Sequence, residues 1–223
     1  VGEEELPEVP YELATGWTAA NLEEEWESMD EETRANVLLH LQMLYDAELR
    51  FMDEQMGLLF DGFDALGMLD DALVVVFSDH GEQYYEHDGF EHGVALYTEE
   101  TLALAALSAN NLQPMVVDAV TSHVDLVPTI LDAMGHEVPA GLSGSPLGGF
   151  TVDRPVFSAM FNDKGYAQSV EIGQDRLVYL WEGFAQYFDI GEDPGEREDL
   201  YDAGDATVQA LWEAASTSVE LQR

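Results

Sequence analysis

The 223-residue chain contains no cysteine and only 7 basic residues, and Lys164 is its single lysine. The absence of cysteine excludes disulfides, a thiolate nucleophile and a zinc-thiolate site within these residues. With 46 acidic residues the formal net charge is −39. Because no basic patch exists that could neutralise a phosphate backbone, we expect no nucleic-acid binding.

The chain also lacks long apolar runs. None approaches the roughly 20 residues that a membrane-spanning helix needs, and no secretory signal opens the sequence. We therefore expect no membrane span and a cytoplasmic location. The chain begins at Val1 without an initiator methionine, and we expect that the front of a longer protein precedes it.

The acidic residues are dispersed through segments that also contain apolar residues in periodic patterns. A hydrophobic fraction of 46% with 10% aromatic residues is enough for a core, so wholesale disorder is not expected. A solvated acidic surface of this kind is typical of proteins from salt-saturated cytoplasm, where salt screens the self-repulsion. We interpret the composition as halophilic, with a cation-binding or nucleic-acid-mimicking surface as the alternative.

The first part of the chain predicts helices. A short helix is expected around residues 22–29, and a long one from Asp30, which can cap it, to Gly67, which ends it. Apolar side chains recur along the long helix at spacings of three and four residues, which predicts a face that lies against a sheet. These side chains are Leu41, Leu44, Tyr45, Leu49, Met52, Met56, Leu59, Phe60 and Phe63.

Strands alternate with helices after that point. Residues 73–77 are short, β-branched and uniformly apolar, which predicts a strand buried on both faces as in a parallel sheet covered by helices. Residues 101–108 predict a second strand. A further helix is expected between Asp125, a candidate cap, and Gly135, which stops it. This alternation is typical of α/β folds.

A glycine-rich turn region at residues 141–149 is followed by a further short strand candidate at residues 156–160. From Tyr166 the pattern changes. Short segments predict strands, and their spacing is typical of an antiparallel meander. They cover residues 166–172, 177–181 and 186–190, and residues 203–221 predict a closing amphipathic helix. We therefore expect residues 1–150 to belong to an α/β domain and residues 151–223 to form a small C-terminal α+β subdomain.

Residues 77–93, FSDHGEQYYEHDGFEHG, contain three histidines, five carboxylates and three glycines. Asp79 and His80 directly follow the predicted strand, at the carboxyl edge where α/β folds place ligands. The turn at Gly81 could converge both side chains on one ion, and such ligands suit calcium, manganese or zinc in different degrees. The alternative is a polar turn in which Asp79 only caps the next segment.

His87 and His92 stand further along the same loop, each followed closely by glycine. Glycine lets the backbone approach a bound anion or ion closely. A histidine pair in a solvent-exposed loop is the alternative, since acidic residues are common throughout the chain. The remaining histidines, His40, His123 and His136, are expected to be structural or surface residues.

Three stretches resemble the sulfatase family of the alkaline phosphatase superfamily. Tyr45, Asp53 and Gly57 followed by VVVFSDHG are similar to a family helix and a strand ending in Ser-Asp-His-Gly. HVDLVPTILDAMGHEVPAGLSGSPL is similar to the family's Asp-Leu-x-Pro-Thr helix and its continuation. QYFDIGEDPGEREDL is similar to a C-terminal signature that includes Asp-Pro-x-Glu. The motifs stand in family order over about residues 40–202.

The resemblance implies an alkaline-phosphatase-like mixed or parallel sheet flanked by helices, and a metal-dependent hydrolase of small-molecule or glycan sulfate esters. Asp79 and His80 would be metal ligands, with Ca²⁺ as the usual ion and Mn²⁺ or Zn²⁺ as alternatives. His92 would be catalytic and would contact the anionic oxygens of the ester, or else support the metal. His87 would be either substrate-facing or structural. With the acidic composition, a halophilic archaeon is the expected source.

The sequence also departs from the family. Members carry near the N-terminus an Asp-Asp metal pair and a Cys- or Ser-x-Pro-x-Arg motif whose first residue becomes formylglycine. Neither a cysteine nor such a serine motif occurs here, and Arg154-Pro155 has the wrong order and place. We expect the nucleophile and the remaining ligands in a missing N-terminal part of the same chain. A shortened, inactive relative is the alternative.

Residues 103–106 also differ from the family's usual Arg-Val-Pro-Leu, which puts the local contacts to substrate in doubt. The retained motifs do not distinguish sulfur from phosphorus chemistry. A phosphodiesterase, a phosphonate hydrolase or a phosphoglycerol transferase of the same superfamily therefore remains as an alternative, as does a non-catalytic sulfatase-like domain.

Overall fold

The computed structural model describes residues 19–110, 112–117, 119–147, 154–162, 164–180 and 183–220. The chain divides into two compact units: residues 1–72 with 82–94 form the first, and residues 73–81 with 95–223 form the second. The domain boundary expected near residue 150 stays a prediction.

The helices in chain order are α1 (Ala19–Trp26), α2 (Glu31–Ala65), α3 (Thr98–Thr101), α4 (Leu126–Ala133) and α5 (Ala206–Glu220), and a 3-10 turn at His123–Asp125 precedes α4. The strands are β1 (Val74–Phe77), β2 (Gln83–Tyr84), β3 (Phe90–Glu91), β4 (Ala105–Ser108), β5 (Val156–Asn162), β6 (Gly165–Ile172), β7 (Asp175–Leu180) and β8 (Phe184–Asp189). No helix in the described part of the chain is both long and apolar enough to cross a membrane.

The limits of helix α2 agree with the sequence prediction. Asp30 has an extended backbone, and its Oδ1 accepts the Thr33 N–H at 2.8 Å, which satisfies one of the unpaired amides at the helix start. At the other end Gly67 adopts a φ of 67°, which reverses the chain where other residues would be strained.

The apolar face of α2 is only partly covered. Val37, His40 and Leu41 are buried, and a core cluster joins Val37 and Leu41 to Leu22 and Trp26. The prediction that the whole stripe faces a sheet is wrong for the described residues, because side chains further along the helix are 39–52% exposed. These are Leu44, Tyr45, Leu49, Met52 and Leu59. Spacing shows which side chains share a face, but not whether the chain itself covers that face.

Strand β1 lies in the second unit, where it pairs antiparallel with β4 from Val74↔Ser108 to Phe77↔Ala105. The strand at residues 73–77 was predicted, but the second strand begins at Ala105 rather than at residue 101, because Thr101 still belongs to α3. The expected parallel pairing is wrong for β1 and β4, and β1 is not buried on both faces. Val74, Val75 and Val76 are half-buried and Phe77 is 54% exposed. The apolar run indicates a strand that needs cover on two sides, and within the described residues β4 is its only paired neighbour.

The C-terminal part of the second unit is a four-stranded antiparallel sheet in the order β5-β6-β7-β8. Leu211 of α5 packs against Val170 and Leu177. The meander and the closing helix are therefore confirmed. Trp181 and Leu221, at the ends of two predicted elements, lie outside the described residues, as do the last glycines of the region at residues 141–149.

Helix α4 was predicted with Asp125 as its cap and Gly135 as its stop. Gly135 has a φ of 73°, as expected. The cap is different: Ser122 and Asp125 form a capping box around the 3-10 turn, and the Asp125 side chain makes no capping hydrogen bond to α4. The carboxylate instead lies buried in contact with Arg154, a partner that local sequence does not reveal.

Candidate functional site

Strand β1 carries Asp79 and His80 just past its end. The Oδ1 atom of Asp79 accepts the His80 backbone N–H at 3.1 Å. The His80 ring nitrogen Nδ1 lies 2.7 Å from the Gly81 carbonyl oxygen. Because a carbonyl only accepts, this contact places a proton on Nδ1 and directs the lone pair of the neutral ring to Nε2. That Nε2 is 3.7 Å from Asp79 Oδ2.

This pair fits a divalent cation. Carboxylate oxygen and imidazole nitrogen are both ligand types that such ions accept. A hydrogen bond from the other ring nitrogen to a carbonyl is the usual arrangement that orients a metal-binding histidine. No group of three or more His, Asp or Glu residues that could hold an ion occurs among the described positions. The pair by itself offers one oxygen and one nitrogen ligand, fewer than a complete coordination shell.

The turn that holds Asp79 and His80 is anchored on each side. Ser78 exchanges two hydrogen bonds with Leu104: its N–H donates to the Leu104 carbonyl at 3.0 Å, and its Oγ accepts the Leu104 N–H at 2.9 Å. Gly81 donates its N–H to the Glu100 carbonyl at 2.9 Å. These bonds fix the backbone on both sides of the candidate ligands.

Gly81 and His123 contribute further contacts to this turn. A Cβ at Gly81 would overlap the backbone carbonyl of Glu99, so glycine is required here by close approach of two backbones. His123 Nε2 lies 2.8 Å from the Ser78 carbonyl and donates to it. His123 thus supports the end of β1, in agreement with the structural role expected for it.

His87 and His92 belong to the first unit, around the hairpin of β2 and β3. Three non-glycine residues there adopt positive φ: Tyr85 at 71°, Asp88 at 59° and Glu91 at 66°. Such conformations are costly for residues with a side chain and persist where packing enforces them. The Tyr85 ring packs against Trp26 and Phe90, with centroids 4.6 and 5.1 Å away. These aromatic contacts hold the hairpin in its bent form.

His92 is oriented by a carboxylate that the sequence did not single out. Its Nδ1 lies 3.3 and 3.4 Å from the two carboxylate oxygens of Glu82. The His92 side chain is 50% exposed and that of Glu82 25% exposed. His87 is half-buried. The predicted roles of both histidines stay predictions.

Asp79 and His80 lie in the second unit, and His87 and His92 in the first. Within these units the structure brings Asp79 beside His80, and His92 beside Glu82. Each pair therefore stands as its own candidate, one for metal binding and one for contact with an anionic substrate.

A buried ionic cluster in the second unit was missed by the sequence prediction. Arg176 is 4% exposed, and its Nε and Nη1 lie 3.0 Å from carboxylate oxygens of Glu196 and Glu171. Burial raises the pKa of the Glu171 carboxyl more than Arg176 lowers it. The small number of basic residues could have indicated this cluster, since the chain has only 7. Arg176 and Arg154 both form ion pairs with carboxylates.

The chain thus combines a strand end that presents an Asp-His pair with helices, short strands and a C-terminal antiparallel sheet. The family model described as Sulfatase matches residues 14–136, more than half of the chain. The chain belongs to the sulfatase family.

Relatives agree with this assignment. The multifunctional alkaline phosphatase superfamily protein PehA of Trinickia caryophylli is 29% identical over 187 residues, covering 72% of this chain and 36% of the relative. The choline-sulfatase of Rhizobium meliloti (strain 1021) is 27% identical over 165 residues, covering 70% of this chain and 32% of the relative. The chain thus spans about a third of the length of these curated relatives.

The fold is also found among solved structures. One similar structure, determined in complex with its substrate D-glucosamine-2-N,6-O-disulfate, superposes with a TM-score of 0.75 at 18% identity. The match covers 91% of this chain and 45% of the other. This likeness shows the fold, the mixed α/β architecture of the sulfatases.

Proposed function

We propose that the chain is part of a metal-dependent hydrolase that cleaves sulfate esters. The observation that supports this most directly is the Asp79–His80 pair, with Nε2 and Oδ2 only 3.7 Å apart, at a strand end within the region that the sulfatase family model matches. Two donor atoms of metal-ligand type at that position support a partial metal site over an ordinary surface turn.

Asp79 and His80 would hold the divalent cation, with Ca²⁺ favoured by the family resemblance and Mn²⁺ or Zn²⁺ compatible with an imidazole ligand. When bound, such a cation supplies charge neutralisation at the oxygens of the reacting group. His92, held at Nδ1 by Glu82, would direct its other nitrogen to the ester oxygens and donate a proton to the leaving group. His87 would face the substrate.

The substrate we propose is a sulfate ester of a small molecule or a glycan. The names of the similar proteins refer to choline sulfate chemistry and to a disulfated glucosamine, and both carry the same anionic group. The remaining ligands and a formylglycine nucleophile would come from a segment outside these 223 residues. We further propose that the acidic surface is suited to a salt-rich cytoplasm.

Metal titration tests the proposed site. In 1 M KCl, to suppress diffuse binding by surface carboxylates, the parent chain should bind Ca²⁺, Mn²⁺ or Zn²⁺ more tightly than Asp79→Ala/His80→Ala. We expect the affinity to fall at least about tenfold on loss of both ligands. Isothermal titration calorimetry measures this directly.

A matched control is Asp132→Ala/His136→Ala, which removes one exposed carboxylate and one exposed imidazole elsewhere in the second unit. It should bind the ion like the parent chain. If Asp79→Ala/His80→Ala binds every tested ion as tightly as this control does, the metal site at the end of β1 is ruled out.

Phosphoryl transfer is the second candidate, favoured by the similarity to a relative described as multifunctional. A phosphodiesterase, phosphonate hydrolase or phosphoglycerol transferase would need the same anion contacts. Full-length protein assayed with aryl sulfate, phosphodiester and phosphonate monoester substrates separates these activities through their kcat/KM values. A non-catalytic domain would hydrolyse none of them while still binding the ion.

A further inference from the structure

We propose that Arg176 and Glu196 are positioning residues for the Asp79–His80 turn. They act on it through residues 95–104, which we call the α3 segment. Neither residue is assigned a role in metal binding or catalysis by the family resemblance. This proposal rests on the proposed function in one respect, which is that Asp79 and His80 are metal ligands.

The first step is that the candidate ligands are held by the α3 segment on both sides. Ser78, directly before Asp79, forms two backbone-directed hydrogen bonds with Leu104, at 2.9 and 3.0 Å. Gly81, directly after His80, donates to the Glu100 carbonyl at 2.9 Å and packs against the Glu99 backbone. A displacement of this segment would therefore move the two ligands with it.

The second step is that the α3 segment has little regular structure to hold itself in place. Helix α3 is only 4 residues long, and helices this short are not stable alone. The carboxylate of buried Glu100 accepts the Ala95 N–H at 2.8 Å, which closes the segment on itself. Leu96 and Tyr97 pack on the sheet beside Phe188. Its position must therefore come from the residues around it.

The third step is that Arg176 and Glu196 bind both ends of α3. One guanidinium nitrogen of Arg176, Nη2, donates to the Leu96 carbonyl and to Thr101 Oγ1, each at 2.7 Å. Glu196 Oε2 accepts the N–H of Thr98. The two side chains also contact each other, with Arg176 Nε 3.0 Å from Glu196 Oε1. Charged hydrogen bonds to backbone groups in a buried setting hold geometry strongly.

The fourth step is that both residues sit on rigid supports. Arg176 lies in β7, an interior strand of the four-stranded sheet. Glu196 follows β8 in the Asp-Pro-x-Glu stretch and adopts a φ of 51°, a conformation that a non-glycine residue keeps only when its surroundings enforce it. Its side chain is 0% exposed. Contacts thus run from the sheet through α3 to the turn that carries Asp79 and His80.

Hydrogen exchange of the Gly81 amide tests the proposal without any metal. In Glu196→Gln, exchange of this amide should accelerate by about tenfold or more through local opening. Exchange of the β6 and β7 amides should change only as much as the global free energy of unfolding changes. Calcium affinity of the same variant should fall by about 10- to 100-fold, the range for groups that orient metal ligands.

Two further variants separate positioning from general destabilisation. Leu211→Ala removes a core side chain that contacts Val170 and Leu177, away from the α3 segment. In this variant the Gly81 exchange rate should change only as much as the global free energy of unfolding changes. Glu171→Gln/Arg176→Met/Glu196→Gln removes all three charges of the buried cluster, because Arg176 also contacts Glu171. It should be more stable than Arg176→Met, which leaves two carboxylates without their countercharge. Its Gly81 amide should still exchange rapidly.

The proposal is overturned if Gly81 exchange in Glu196→Gln matches the parent chain, or if Gly81 protection returns with stability in the triple variant. Failure of the proposed function looks different, since the parent chain would then bind no ion more tightly than Asp79→Ala/His80→Ala. Gly81 exchange would still decide whether the pair positions the turn.

Discussion

At the scale of single residues, Asp125 illustrates how a buried charge is satisfied in this protein. Its side chain is 1% exposed and accepts two hydrogen bonds from Arg154, at 2.9 and 2.6 Å. The backbone N–H groups of Ser122 and Ser145 donate to the same carboxylate at 2.8 and 2.9 Å. This arrangement fastens the start of α4 to two later parts of the chain.

Arg154→Met should destabilise the protein by about 3–5 kcal/mol, because the carboxylate of Asp125 would remain buried without its countercharge. Urea unfolding followed by circular dichroism gives this loss. Arg154→Lys, which keeps the charge but loses the two-pronged geometry, should lose less. A loss below about 1 kcal/mol in Arg154→Met, the range of exposed ion pairs, would contradict the structural role of this pair.

Contacts in the site could be predicted where the two residues are close in sequence, and not where they are far apart. Asp79 and His80 are adjacent, and a turn at Gly81 is a local property, so their convergence could be expected from the sequence. Arg154 lies 29 residues from Asp125, and nothing local to either residue signals the pair. Glu82, which contacts His92 ten residues on, was hidden among many carboxylates of the same loop.

At the scale of elements, α2 is the clearest case of a structure specified locally. The side chain of Asp30 caps the helix at Thr33, and Glu31 and Glu32 follow in the first turn, where carboxylates interact favourably with the helix dipole. Gly67 ends it with a positive φ. These signals are short-range, so the limits of the helix followed from the sequence.

Asp30→Ala should lower the free energy of unfolding, because the Thr33 amide loses its hydrogen-bond partner. The free energy of unfolding from urea titration measures this cost. Asp30→Ser, which retains a capping oxygen, is the matched control and should lose clearly less stability than Asp30→Ala. Equal losses in the two variants would show that the cap does not determine the start of α2.

The surroundings of the elements were less predictable than the elements themselves. Leu49 and Met52 on α2 and Phe77 on β1 have the pattern of core residues, yet they are 42%, 51% and 54% exposed. The spacing of apolar residues indicates which surface of an element should be buried. The residues that bury that surface lie far away in the sequence, so the local pattern does not identify them. In the antiparallel sheet from β5 to β8, neighbours in sequence are also neighbours in the sheet. The meander of β6, β7 and β8 was correctly predicted for that reason.

At the scale of the whole molecule, the net charge of −39 dominates the response to salt. Like charges on a compact surface destabilise it through self-repulsion. The Debye length falls from about 10 Å at 0.1 M salt to about 3 Å at 1 M, so most of this repulsion disappears over that interval. Buried pairs such as Asp125–Arg154 are screened much less.

The free energy of unfolding should therefore rise steeply as KCl increases from 0.1 to about 1 M, and then less steeply as the Debye length shortens further. A variant with four exposed glutamates changed to glutamine should be more stable than the parent chain at low salt and should show a smaller dependence on KCl. Suitable positions are Glu23, Glu24, Glu25 and Glu48. A stability that does not change with KCl, or an equal salt dependence in both proteins, would show that surface repulsion is not what limits folding at low salt.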